Sequence, residues 1–256
     1  MAEPILRTRG LARSFGALRA VDGVDLAVGR GTITGLIGPN GAGKSTLFAL
    51  LAGALAPSAG RVELDGADVT ALPPERRFGM GLARTFQIPR PFARMSVMDN
   101  VLVAPTGQTG ETLWGPFLSP RAVARQEARH RARAREVLDF CTLLPLAGHL
   151  AGKLSGGQAK LLELARVLMG APRLILLDEP AAGVNPALTE VLVGKIEALN
   201  RDGTTFVVIE HDMDLVMRHC APIVALAQGR IAFEGPPEAA QRDPALVDAY
   251  LGTVHA

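Results

Sequence analysis

The sequence predicts an α/β fold built on a mainly parallel sheet, and three stretches predict it. Thr32-Ile33-Thr34-Gly35-Leu36-Ile37 is a short apolar, β-branched run that leads through a glycine-rich turn into a helical stretch from Thr46 to Gly53. Leu174-Ile175-Leu176-Leu177 and Thr204-Thr205-Phe206-Val207-Val208-Ile209 are continuous apolar runs. Such runs mark strands covered on both faces, as in a parallel sheet. Each of these two ends on charged residues, Asp178-Glu179 and Glu210-His211-Asp212. The carboxyl ends of strands are where open α/β sheets bind ligands.

The glycine-rich turn is Gly38-Pro39-Asn40-Gly41-Ala42-Gly43-Lys44-Ser45-Thr46. It follows the pattern G-x-x-x-x-G-K-[ST] of the phosphate-binding loops of nucleotide hydrolases, in the strand–loop–helix context the pattern needs. Gly38, Gly41 and Gly43 permit positive φ and leave no Cβ between backbone and ligand. The loop amides can then turn inward as an anion nest, with the positive end of the following helix behind them. Lys44 is expected to reach the β- and γ-phosphates, and the Ser45 hydroxyl to bind Mg²⁺.

A chain of 256 residues makes one large domain or two small ones, and 48% hydrophobic residues suffice for a sizeable core. A net charge of +2 is too small to imply nucleic acid. Cys141 and Cys220 have neither paired spacing nor a secretory context, so both read as reduced and structural. Glu3-Pro4 and Arg7 interrupt any apolar leader. The longest mostly apolar stretch, Leu47 to Ala56, is shorter than the roughly 20 residues that cross a bilayer. The expectation is a soluble cytoplasmic protein, or one held at a membrane by a partner.

Residues 5–37 read as strands, with Val24, Leu26 and Val28 alternating as in a half-buried antiparallel strand. Phe15 upstream of the loop is either an aromatic for stacking on an adenine ring or an ordinary core residue. Arg61 to Leu64 is a strand closed by a turn at Asp65-Gly66, and Pro73-Pro74 opens a short helix. Gly81 to Gln87 is a strand that ends on a side chain with both donor and acceptor. Gln87 could hold a metal-bound or attacking water, or be a solvated loop residue. Residues 88–104 hold Ile88, Pro89, Pro91, Phe92, Met95, Val97 and Met98, which, if exposed, suggest a protein contact. Residues 105–120, with the only tryptophan, Trp114, read as an irregular loop.

Residues 121–141 are expected to be helical. Ala134, Val137, Leu138 and Cys141 give an apolar stripe, and Arg121, Arg125, Arg129 and Arg133 a basic one. The basic stripe is either a solvated face or a contact with anionic lipid headgroups or an acidic partner loop; no aromatic residues interleave it as nucleic-acid binding would require. Leu154-Ser155-Gly156-Gly157-Gln158 precedes a helix from Ala159 to Met169, with Ser155 as N-cap and the glycines exposing backbone N–H groups as a second anion site. Asp178 would orient Mg²⁺, and Glu179 would be the general base for the attacking water. His211 could hydrogen-bond the γ-phosphate. Residues 222–235 alternate around Gln228-Gly229 as a hairpin, and 236–252 read as short helical pieces.

The ordered set of phosphate loop, Gln87, Leu154 to Gln158, Asp178-Glu179 and His211 resembles the nucleotide-binding subunit of ABC transporters over essentially the whole chain. The most specific element is LSGGQ followed by a buried strand and Asp178-Glu179-Pro180. The resemblance implies a P-loop NTPase core with an N-terminal antiparallel β subdomain and an inserted α-helical subdomain. On that basis 1–87 and 170–235 form the core with the β subdomain, 88–169 the helical insertion with the signature, and 236–256 a helical tail. It implies that Gln87 is the Q-loop and a further Mg²⁺ contact, Leu154 to Gln158 the signature, His211 the switch histidine and Phe15 the adenine platform. It further implies a head-to-tail dimer, with itself or with a second ATPase subunit, that sandwiches ATP and Mg²⁺ between each phosphate loop and the opposite Ser155, Gly156 and Gly157. Integral membrane permease subunits, and through them a periplasmic solute-binding protein, are the implied partners, which places the chain peripherally on the cytoplasmic face of the inner membrane.

One stretch departs from the family. Many members carry Ser-Ala-Leu-Asp after the acidic pair, where this chain has Ala182-Gly183-Val184-Asn185. Ala83-Arg84-Thr85-Phe86-Gln87, Glu179 to Pro186 and the ending Ala249-Tyr250-Leu251-Gly252 look like the ATPase subunits of bacterial branched-chain amino acid importers. Relatives of that kind also serve urea, short amides or other small polar solutes. A soluble ABC ATPase outside transport would carry two cassettes or a long coiled-coil arm, and this chain has one phosphate loop and a short insertion.

Overall fold

The computed structural model describes residues 3–85, 89–105 and 120–246. In chain order the elements are β1 (Leu6–Phe15), β2 (Leu18–Val24), β3 (Ala27–Val28), β4 (Ile33–Ile37), α1 (Lys44–Leu51), β5 (Ala59–Leu64), β6 (Ala67–Asp68), α2 (Pro74–Gly79) and β7 (Leu82–Arg84). There follow α3 (Val97–Leu102), α4 (Pro120–Phe140), α5 (Gly156–Leu168), β8 (Leu174–Asp178), α6 (Pro186–Arg201), β9 (Thr205–Ile209), α7 (Met213–His219), β10 (Ile223–Ala227), β11 (Arg230–Gly235), α8 (Pro237–Ala240) and α9 (Pro244–Leu246). These form two compact units, one of residues 1–84, 173–181 and 196–256, the other of 85–172 and 182–195.

The first unit holds both sheets. One is antiparallel, in the order β2-β1-β5-β6 with β3 also on β1. The other runs β11-β10-β4-β9-β8-β7 and is parallel except for the β10–β11 pair. Every residue of β4, β8 and β9 is buried, as their unbroken apolar sequences require. The hairpin turn falls at Gln228 and Gly229, both at positive φ. Its strands differ from the expected alternation. Only β11, at the edge, alternates; β10 is buried from Ile223 to Leu226, with Val224 and Leu226 in the apolar cluster that holds α1 on one face and Ile223 beside Val216 and Cys220 on the other.

Helix α1 is buried in this unit's core. Leu47, Phe48, Leu50 and Leu51 join Leu36, Leu176, Val207 and Leu226 of the parallel sheet and Leu6, Val24 and Val62 of the antiparallel one in a single apolar cluster. A helix end buried this way leaves backbone carbonyls without water. Arg77 of α2 supplies their partner. Its side chain is 1% exposed, and Nη1 donates to the carbonyls of Leu50 and Leu51, both at 2.7 Å. Nε donates to Leu72 O and Nη2 to Thr70 O, each at 3.0 Å. Burial lowers the Arg77 pKa, and the charge of Asp68 opposes the shift. Gly53, at φ 77°, makes room, since a Cβ there would lie 2.7 Å from Arg77 Nε.

In the second unit α3, α4 and α5 pack together, with Val97, Val101, Ala134, Val137, Leu138, Cys141, Leu161 and Leu162 buried. The apolar stripe of α4 is therefore the buried one, and Arg121, Arg125, Arg129 and Arg133 are exposed. Val97 is core and not contact surface, and Phe92 is exposed with the Arg166 guanidinium 5.2 Å from its ring. Residues 182–195, including the start of α6, group with this helical unit, whereas the sequence placed them with the core. Cys141 and Cys220 are free and buried, and burial pushes each thiol up to about 12. No helix among the described residues is long and apolar enough to cross a membrane.

Replacing Arg77 by methionine removes a donor from four carbonyls, of which Leu50 O keeps Gly53 N at 3.2 Å, and should cost about 2–4 kcal/mol of stability. Urea unfolding checks this, and an unchanged midpoint would refute the capping role.

Candidate functional site

In the sheet order β4-β9-β8, three parallel strands present their carboxyl ends on one edge. The phosphate loop follows β4, Asp178 ends β8 with Glu179 next, and Glu210-His211 follows β9. Residues distant in sequence thus meet because the sheet is parallel, all within the first unit.

The loop has the geometry its glycines allow. Gly41 and Gly43 sit at φ 81° and 102°. A Cβ on Gly43 would lie 2.1 Å from Ala20 O, and one on Gly38 2.6 Å from Leu226 O, so neither position admits a side chain. Gly41 faces open space. Helix α1 starts with no side-chain cap and no acid in its first turn. Its first N–H groups, at the positive end of the helix dipole, suit an anion. Lys44 is 6% exposed, and its Nζ donates to the loop carbonyls of Gly38 and, at 3.0 Å, Pro39. Burial lowers its pKa; the charges of Glu179 and Asp178 push the other way.

Asp178 is buried, and its Oδ2 accepts from Arg84 Nη2 at 2.9 Å, across from the adjacent strand β7. Glu179 adopts φ 49°, which is uncommon for a side chain other than glycine, Asn or Asp and recurs at functional sites. Its backbone N–H donates to Ile209 O at 2.9 Å, and its Oε1 lies 3.0 Å from His211 Nε2. With Glu179 ionised, that ring nitrogen is the donor. Glu210, given no role by the sequence, is buried and accepts from Ala181 N at 2.7 Å and His211 N at 3.3 Å. It ties together the two turns that carry Glu179 and His211.

Lys44, Ser45, Thr46, Glu179 and His211 line a cleft of about 520 Å³. Phe15, Leu18, Arg19 and Gln228 also line it. Phe15 is 46% exposed, with Arg13 Cζ 4.8 Å from its ring, so it is not a core residue. Arg19 and Gln228 were not anticipated. Arg19 shares Asp22 with Arg230, and Arg230 holds that carboxyl below its ordinary value. The Gln228-Gly229 turn supports the loop directly, because Gly229 N donates to Ala42 O at 3.0 Å. Only the turn itself was visible in the sequence. Gln87 and Phe86 lie outside the described residues, as do Trp114 and the 249–252 ending.

The second unit holds Leu154 to Gln158. Ser155 is the N-cap of α5: its Oγ accepts from Gln158 N at 3.3 Å, and Gln158 Oε1 accepts from Ser155 N at 2.9 Å. This reciprocal pair assigns Ser155 and Gln158 to shaping the helix start. Leu154 is half-buried, and a Cβ on Gly156 would meet nothing closer than 3.8 Å. Gly157 is buried, and its Cβ would lie 2.6 Å from Leu188 Cδ1 and 3.1 Å from Val184 Cγ1. Asn185 accepts from Leu188 N at 2.9 Å through Oδ1 and caps α6 just before Pro186. Asn185→Ala should therefore cost about 1 kcal/mol, whereas Asn185→Asp keeps the cap and should gain about 0.3–1 kcal/mol. Thermal unfolding measures both, and equal loss in the two variants would exclude the cap as the reason.

The ABC transporter family matches residues 21–182. The branched-chain amino acid transport ATP-binding protein BraF of Pseudomonas aeruginosa is 39% identical over 98% of this chain and 99% of its own length. The probable branched-chain amino acid transport ATP-binding protein LivG of Archaeoglobus fulgidus is 38% identical over 97% of this chain and 95% of its own. Among solved structures, the ADP conformation of an ATP-binding cassette of an ABC transporter superposes with a TM-score of 0.83 at 36% identity, covering 98% of this chain and all of the other. A nucleotide-free cassette gives 0.81 at the same identity. With the loop, the acidic pair and the capped LSGGQ helix in place, the chain belongs to the ABC transporter family as one of its ATPase subunits.

Proposed function

We propose that this chain hydrolyses ATP to drive import of branched-chain amino acids. The contact that carries the hydrolytic reading is Glu179 Oε1 to His211 Nε2, 3.0 Å, on the wall of the cleft that also holds Lys44. The solute class rests on the relatives, which are named for branched-chain amino acid transport over nearly their whole length.

The glycine loop and the first turn of α1 bind the phosphates of ATP. Lys44 exchanges its bonds to Gly38 O and Pro39 O for phosphate oxygens. Phe15, exposed at the cleft, offers a face to the adenine. Glu179 accepts the proton of the attacking water, and His211 holds that carboxylate in place. The oxygen donors Ser45 and Asp178 suit Mg²⁺, a hard cation that keeps phosphate and water among its ligands. Asp178 Oδ2 already accepts from Arg84 Nη2 at 2.9 Å, which holds the carboxylate at the strand end. When bound, the ion neutralises charge on the phosphate oxygens. Gln87 is proposed to assist there. Ser155, Gly156 and Gly157 serve the ATP of a second ATPase subunit, identical or not, in a head-to-tail dimer. Permease subunits, fed by a periplasmic solute-binding protein, hold that dimer on the cytoplasmic face of the membrane.

Glu179→Gln should bind ATP, turn over about 10²–10⁴-fold more slowly and accumulate as a dimer with ATP and Mg²⁺. Phosphate release and size exclusion read the two effects, and normal turnover would remove Glu179 as the base. In a strain lacking this protein, labelled leucine uptake should return with wild type and not with Glu179→Gln. Return of urea uptake alone would move the solute and leave the ATPase mechanism standing.

A further inference from the structure

We infer that the exposed face of α4 is a membrane-binding ridge that engages the headgroups of anionic phospholipids. The helix carries Arg121, Arg125, Arg129, Arg131, Arg133 and Arg135, all exposed. Against them stand Glu127, Glu136 and Asp139, so its net charge is +3. The whole chain carries +2, which leaves every other residue together at −1. The positive excess of this protein is thus concentrated on one helix.

That concentration is fixed in space. Ala134, Val137 and Leu138 anchor the opposite side of α4 in the core of the second unit. The arginines stand on the outward side over about 20 Å of helix. Among the described residues only Arg133 pairs with an acid, Glu136, at 3.1 Å. The other five spend their charge on solvent. Such an arrangement is costly in self-repulsion and is relieved by an anionic surface.

The chemistry between the arginines selects the partner. Ala122, Ala124, Ala128, Ala132 and one acid, Glu127, are the exposed residues that separate them. A protein interface is built round buried aromatic or large aliphatic anchors, and this face has none. Single-stranded nucleic acid needs aromatic platforms, also missing from this face. A surface of small residues and guanidinium groups suits a flat layer of phosphates, which guanidinium binds in a bidentate manner. No apolar side chain on this face inserts into the bilayer, so the attachment is electrostatic and reversible. It goes beyond the proposed transport role and does not depend on the identity of the solute.

Co-sedimentation of the full chain with vesicles tests it. Binding to phosphatidylcholine vesicles that contain phosphatidylglycerol should exceed binding to phosphatidylcholine alone, and should fall as salt rises. A basic side chain near an anionic surface contributes about fivefold, so Arg121→Glu with Arg125→Glu and Arg129→Glu should lower affinity more than tenfold. The ATPase rate of that variant should be unchanged, since none of the three lines the cleft. The same three changed to lysine should retain most of the binding. Equal binding to both vesicle types would overturn the inference, as would wild-type binding by the glutamate variant. Loss of membrane association in cells without any vesicle binding would also overturn it, in favour of an acidic partner protein.

Discussion

Helix α1 has two ends with opposite needs, and the first unit is arranged around that opposition. Any helix leaves N–H groups bare at its start and carbonyls bare at its finish. Burying α1 from Leu47 onward removes water from the finish, while the start faces the cleft. At the finish the answer is internal: Arg77 fills the space beside Gly53 and satisfies Leu50 and Leu51. At the start no side chain intervenes, and Gly43 enters the helix as a bare left-handed cap. One end is closed by a permanent cation, and the other keeps its first N–H groups without a side-chain cap. A helix held firmly at its far end keeps Lys44 and Ser45 in constant register at the cleft.

Each charge round the cleft has a partner within the first unit. Lys44 rests on two loop carbonyls, Asp178 on Arg84, and Glu179 on His211. Glu210 bonds two backbone amides instead and fixes the turns that carry Glu179 and His211. At φ 49°, Glu179 is tied to β9 by the bond of its N–H to Ile209 O, and its carboxylate meets His211, which follows the same strand.

The parts of this site written in consecutive residues were legible in the sequence. The glycine loop, the cap at Ser155 and the acids ending buried strands are local patterns with local physical causes. What could not be read depends on partners far along the chain. Arg77 reads as a polar residue of a short helix until the carbonyls of Leu50 and Leu51 are placed beside it. Gln228 reads as a turn residue until Gly229 is seen to support Ala42. β10 reads as half of an alternating hairpin until α1 on one face and Val216 and Cys220 on the other are placed against it. The sequence presented Gly157 as a source of exposed N–H; the structure adds that Leu188 and Val184 occupy the space of its side chain.

The departure at Asn185 follows the same logic of caps. An aspartate there would hydrogen-bond the first turn of α6 and add a favourable charge–dipole contact of about 0.3–1 kcal/mol. Asparagine keeps the hydrogen bond to Leu188 N and forgoes the charge. The cap is what fixes the direction of α6, and with it the position of Leu188 against Gly157. The geometry that shapes the start of α5 therefore survives the loss of the acid. The residue that stands in the family's acidic position does its structural work through its carbonyl oxygen, which both amino acids possess.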